Sequence, residues 1–142
     1  MTADALYQEA IVRLAREARG AGRLEAPDGS ATLDNPLCGD RVTVEVRLRG
    51  SRIEALAHQV RGCILCEAAA SLLCRAAMGG TGGDAREARR SLTELLCSGA
   101  RPPAGAWEDL AAFAPVGSVP SRHGCVLLPF DALGEAVARA KG

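Results

Sequence analysis

The stretch Val42-Thr43-Val44-Glu45-Val46-Arg47-Leu48 alternates without a break. Val42, Val44, Val46 and Leu48 share one face; Thr43, Glu45 and Arg47 share the other. That period of two marks a β-strand with one face packed. Arg49-Gly50-Ser51-Arg52 follows with turn chemistry. Ile53 to Val60 then reads as the returning strand, with looser alternation. Upstream, residues 31–35 (Ala-Thr-Leu-Asp-Asn) supply a short third strand. Pro36 halts its pairing, because proline has no N–H to give to a ladder.

Helical spacing flanks this sheet. Leu6, Ala10, Ile11, Leu14, Ala15 and Ala18 line one face of a helix from Asp4 to Arg19, capped by Thr2 or Asp4 and ended by Gly20 and Gly22. Residues 20–30 read as a loop. Cys63 to Met78 is rich in Ala and Leu without a breaker, the mark of a buried helix, and Gly79 to Gly83 end it. A helix capped by Asp84 runs to about Ser98, and Pro102 and Pro103 break it. Trp107 to Phe113 is a short helix, Pro115 to Pro120 a connection, and Arg122 to Ala140 a final helix. This order predicts an α+β fold: a small three-stranded antiparallel sheet packed against a layer of helices.

Composition narrows the function. The chain has 142 residues, the length of one ordinary domain, so residues 1–142 are read as a single domain. Hydrophobic residues make up 48%, enough to exclude a disordered chain. Seventeen basic residues balance 17 acidic ones, so the electrostatic footprint of a nucleic-acid binder is missing. No apolar run approaches the roughly 18 residues that span a bilayer. Asp4 and Glu9 near the start argue against a secretory signal layout. The expectation is a soluble cytoplasmic protein without a nucleic-acid or membrane partner.

Six cysteines are the chemical excess: Cys38, Cys63, Cys66, Cys74, Cys97 and Cys125. In a cytosolic chain, cysteines at this density point to metal, catalysis or burial more than to disulfides. Gly39 lets the backbone turn so that the Cys38 thiolate and the Asp40 carboxylate can converge on one ion. Cys63 sits where the third strand meets a helix, with Gly62 at the corner. A thiol at a helix N-terminus has a lowered pKa. Cys125 is expected to repeat the device at the final helix. Three thiolates and one carboxylate make a four-ligand set suited to zinc or iron. Cys66, Cys74 and Cys97 are read as small buried hydrophobes. His58 is read as a packed strand histidine, and His123 as a hydrogen-bonder at a helix start. Arg122 faces either Asp40 or a partner carboxylate, or is a plain surface residue. Cys63-Ile64-Leu65-Cys66 is formally C-x-x-C, but no parallel βαβ pattern surrounds it.

Asn35-Pro36-Leu37-Cys38-Gly39-Asp40 resembles the NPxCGD signature of the U-type iron–sulfur cluster scaffold family (IscU, NifU N-terminal domain, SufU). Gly62-Cys63 with the small-residue helix through Ala68, Ala69, Ala70 and Ser71 is similar to that family's second element. Pro120-Ser121-Arg122-His123-Gly124-Cys125, then Leu128, resembles the third element of the SufU branch. The long stretch between Cys63 and Cys125, and Gly124 where the ISC branch has histidine, point to the same branch. The LPPVK sequence of the ISC branch is replaced by Val119-Pro120-Ser121-Arg122-His123. Other positions depart from the family: Arg16-Glu17-Ala18-Arg19-Gly20 stands for a stretch with His and Pro, His58 for an aromatic, Val60 for a glycine, and Cys66 for a serine.

The resemblance implies metal ligation by Cys38, Asp40, Cys63 and Cys125, with zinc as the resting metal and iron or a transient iron–sulfur cluster as cargo on the cysteines. It also implies sulfur acceptance from a pyridoxal-phosphate cysteine desulfurase of the SufS type, and delivery to apo iron–sulfur proteins. Cys38 is expected to be the acceptor, because its loop can move while Cys63 and Cys125 are tied to helix starts. The chain would then be a scaffold or sulfur relay more than an independent enzyme, with a zinc-dependent sulfurtransferase role left open. The alternatives are a structural zinc module that regulates a desulfurase without accepting sulfur, and a C-x-x-C redox protein.

Overall fold

A computed structural model describes residues 8–141. The elements are α1 (Glu9–Glu17), β1 (Gly29–Asn35), β2 (Asp40–Arg49), β3 (Arg52–Arg61), α2 (Ile64–Ala76), α3 (Gly82–Ser98) and α4 (His123–Lys141). Two 3₁₀ segments, Glu108–Ser118 and Pro120–Arg122, lead into α4. The expected start of the first helix at Asp4, Leu6 on its face, and its Thr2 or Asp4 cap lie outside the described residues.

The strands form one antiparallel sheet in the order β1-β2-β3. Asn35 pairs with Asp40 at the closed end of β1–β2, and Arg49 with Arg52 at the closed end of β2–β3. Gly50 takes a φ of +63° in that second turn, a conformation its missing side chain permits. Val42, Val44 and Val46 are fully buried against the helices, as the alternation requires. The opposite face of β2 is partly covered too: Glu45 is buried, and its carboxylate accepts the Leu24 N–H at 2.9 Å. The loop after α1 therefore lies over the polar face of the sheet. Helix α4 packs across β1 and β2 and against α2, with α1 and α3 on either side.

Several helix ends differ from the sequence expectation. Helix α1 closes at Ala18 in the left-handed conformation, ahead of Gly20. Thr81 caps α3, and Asp84 is its reciprocal partner in a capping box three residues in. The expected Pro115–Pro120 connection is largely 3₁₀ helix, because Leu110, Phe113 and Val116 all bury into the core and hold the turns together. Among the described residues, no helix is long and apolar enough to cross a membrane.

Candidate metal centre

The site grows from the closed end of β1–β2. Residues 36–39 form the turn between them. Asn35 anchors it twice: its carbonyl accepts the Gly39 N–H at 2.8 Å, and its side-chain oxygen accepts the Leu37 N–H at 3.1 Å. Gly39 sits at φ +74°, and this reversal turns Cys38 back over the strand. Cys38 is half-buried, while Leu37 beside it is 90% exposed.

Asp40, the first residue of β2, is 1% exposed. One carboxylate oxygen accepts the Cys63 N–H at 2.9 Å. The other accepts the Cys38 thiol at 3.1 Å and the Cys63 thiol at 3.5 Å. Gly62 is required here for space, since a Cβ at that position would run into the Asp40 carboxylate. Cys63 caps α2 with extended backbone, φ −79° and ψ 165°. Cys125 enters from the first turn of α4, fully buried, with its sulfur 3.1 Å from that of Cys38. Gly124 before it faces the Asn35 amide, which a Cβ would meet at 2.7 Å.

Three separate connections thus deliver the four residues expected from the sequence. The ligand atoms of Cys38, Asp40 and Cys125 all lie within 4.8 Å of one another. Cys63 joins this trio through its contacts with Asp40 and with the Cys125 thiol. Soft thiolates with a single hard oxygen are a donor set that fits zinc or iron.

The electrostatics assign different characters to the thiols. Cys63 is lowered to about 7, first by the hydrogen bond from Cys125 and also by the Cys66 and Leu65 N–H groups at the start of α2. Cys125 is raised, because it gives its proton to that same hydrogen bond and is buried. The expectation that Cys125 repeats the helix-start device is therefore corrected. A 3₁₀ turn runs directly into α4, so Cys125 does not sit at an open helix cap as Cys63 does. Burial raises Cys38. Burial would also raise Asp40, but hydrogen bonds from the Cys38 thiol, the Cys63 N–H and the other thiols outweigh it, and its pKa is lowered.

The remaining candidates resolve outside this cluster. Cys66 and Cys74 are buried, as expected, and burial pushes Cys74 up to about 12. Cys97 is exposed, against expectation, because it faces outward on the last turn of α3. His58 is buried and its Nε2 meets the Arg19 carbonyl at 2.8 Å. His123 bonds the Gly117 carbonyl at 3.1 Å. Asn35 and Gly62 are the site residues the sequence undervalues. Both stand next to ligand candidates, and their roles as turn anchor and spacer show only in the packing.

Fold and site together define a class: a small α+β domain that brings thiols from three connections around one buried carboxylate. The chain belongs to the family described as NifU-like N terminal domain, which matches residues 6–114. That match covers Cys38, Asp40 and Cys63 and stops before Cys125. Relatives are named as iron–sulfur cluster assembly scaffolds. IscU 1 of Archaeoglobus fulgidus is 32% identical over 76 residues, 54% of this chain and 50% of the relative, so the chain spans about half of that protein's length. IscU of Streptococcus pyogenes is 25% identical over 95% of this chain and 84% of its own length. A Bacillus subtilis protein named zinc-dependent sulfurtransferase SufU is 27% identical over 98% of this chain and 94% of its own, a span that includes Cys125. The crystal structure of a nitrogen-fixing NifU-like protein (N-terminal) from Brucella abortus superposes with a TM-score of 0.91, at 32% identity over 97% of this chain and 96% of that one. A scaffold of the SUF system from Fervidobacterium islandicum, at 23% identity and a TM-score of 0.86, shares the fold.

Proposed function

We propose that this chain works in iron–sulfur cluster assembly as a single scaffold domain that accepts sulfur on Cys38 from a pyridoxal-phosphate cysteine desulfurase. Cys38, Asp40, Cys63 and Cys125 would hold zinc, which when bound lowers thiol pKa values and fixes the four side chains. The observation that carries the reading is the convergence of three thiols on the buried Asp40 carboxylate, with one of them on a turn hinged at Gly39.

Cys38 is the acceptor because it alone is not anchored in a helix. In the transfer, its thiolate attacks the terminal sulfur of the desulfurase persulfide. A new S–S bond forms on Cys38, the S–S bond of the persulfide breaks, and the desulfurase cysteine leaves as thiolate. Attack needs a free sulfur lone pair, so the 36–39 turn must swing Cys38 away from Asp40 and Cys125. Exposed Leu37 offers an apolar contact next to the moving residue. Apo iron–sulfur proteins would take the product.

The test is desulfurase turnover of cysteine with and without the added chain. The expected outcome is a stimulation that Cys38→Ala abolishes while leaving the fold intact. A mutant that stimulates as well as the wild type sinks the relay and leaves a structural zinc module in its place. Elemental analysis after gentle purification should find close to one equivalent of zinc or iron.

A further inference from the structure

The four-residue site leaves Cys66 unused, although Cys66 stands one turn from Cys63. We propose that Cys63 and Cys66 form a redox-active dithiol pair, in which Cys63 reacts with a low-molecular-weight disulfide and Cys66 resolves the adduct into an internal disulfide. The inference concerns the β3–α2 corner alone and does not require sulfur acceptance by Cys38.

Cys63 is the cap residue of α2 and Cys66 its third helical position. The Cys66 N–H bonds the Cys63 carbonyl at 3.1 Å, so the pair closes a single tight turn. Such a turn holds its end Cα atoms within about 7 Å, and a disulfide takes Cα atoms about 4.4–6.8 Å apart. Burial divides the roles. Cys63 is half-buried, so a small disulfide can reach it, whereas Cys66 is 0% exposed and is shielded from one. No side chain of the site other than Cys63 lies on this turn. The expectation that no parallel βαβ unit surrounds the motif holds for the antiparallel sheet, but the strand-to-helix corner that such pairs need is present.

The chemistry balances in two exchanges. The Cys63 thiolate attacks one sulfur of the small disulfide, whose S–S bond breaks and releases one thiolate. The Cys66 sulfur then attacks the Cys63 sulfur, and the second small thiolate leaves. The two cysteine protons pass to the two departing thiolates. The pair is oxidised by two electrons and the small disulfide is reduced to two thiols. Oxidation removes Cys63 from the donor set and leaves Cys38, Asp40 and Cys125, so the corner is a reversible control on metal and cargo binding.

The probe is oxidised glutathione added to the full chain as purified, followed by acid quench, alkylation and tryptic mapping. Cys63, Cys66 and Cys74 fall on one peptide, Gly62 to Arg75, while Cys38 and Cys125 fall on two others. The expected product is the Gly62–Arg75 peptide lighter by two hydrogens, with the alkyl label on Cys74. In Cys66→Ser and Cys66→Ala the internal link should vanish, and a glutathione adduct should persist on Cys63 at ten times its wild-type level or more. Reduced Cys66→Ala should match wild-type metal content; loss of metal there would make Cys66 a ligand and overturn its resolving role. The proposal is equally overturned by a cross-link between the Cys38 and Cys125 peptides as main product, by a wild-type adduct as persistent as that of the variants, or by an unmodified peptide after prolonged exposure.

Discussion

The two ends of helix α2 carry the same residue in opposite states. At the N-terminal end the Cys125 thiol and the Cys66 and Leu65 N–H groups lower the Cys63 pKa to about 7, against the opposing pull of burial and the Asp40 carboxylate. Near the C-terminal end Cys74 meets only packed neighbours, and burial pushes it up to about 12. Residues 18–22 seal that second end: a Cβ on Gly20 would touch the Cys74 sulfur at 2.8 Å, and the Arg19 N–H bonds Ser71 at 3.0 Å. His58 holds the seal, its N–H bonding the Gly20 carbonyl at 2.8 Å and its ring the Arg19 carbonyl. Position along one helix, relative to its unpaired donors and its cover, decides whether a thiol is chemical or inert.

The strongest way to break this contrast is Gly62→Ala. The new Cβ has no room beside Asp40, so the N-terminal end should lose its geometry. We expect at least a tenfold loss in zinc affinity by chelator competition, and about 1–3 kcal/mol of stability from overpacking. Gly134→Ala is the control: open space surrounds Gly134 in α4, and alanine there should be neutral or stabilising by up to about 1 kcal/mol. Unchanged affinity in Gly62→Ala would mean that the corner is not built around the carboxylate.

Asp40→Ala tests the same end more gently. It removes the acceptor of the Cys63 N–H, an unsatisfied buried donor worth about 1–3 kcal/mol. Zinc should still bind through the three cysteines. A carboxylate exchanges more readily than a thiolate, so a reconstituted cluster should decay more slowly than in wild type and transfer more slowly to an apo-ferredoxin. The measurement is visible absorbance under anaerobic conditions. Faster decay would show that Asp40 retains the cluster.

Thiol labelling reads both ends at once. In chelated protein near pH 7.5, iodoacetamide should modify Cys63 at least ten times faster than Cys74, with exposed Cys97 labelled as well. Comparable rates at Cys63 and Cys74 in folded protein would erase the distinction.

The smallest effect is expected at the seal. Burial holds His58 below its ordinary value, against the opposing pull of the Arg19 carbonyl, so the folded state keeps it neutral. Below about pH 6.5 the unfolded chain takes up a proton that the folded chain refuses. The His58 contribution is therefore whole above that pH and lost as pH falls toward the lowered folded value. Denaturant midpoints of chelated protein at pH 7.5 and pH 5.5 should differ less in His58→Leu than in wild type. An equal difference would remove His58 from the pH response.

Much of this protein is written in local order. The Val42–Leu48 alternation determines β2, Gly50-Ser51 its turn, and the Ala- and Leu-rich run after Cys63 a buried helix, because each signal is a periodicity or a breaker within a few residues. The ligand candidates Cys38, Asp40, Cys63 and Cys125 were legible for the same reason: each stands next to a glycine or within a short motif at a connection. Tertiary structure alone decided what each thiol became. Whether Cys125 gains or loses a proton depends on Cys63 across the fold, Cys97 is exposed because it faces outward on the last turn of α3, and Glu45 is buried because the loop after α1 lies over the sheet. Burial and proton sharing are set by neighbours distant in sequence, and no local pattern encodes them.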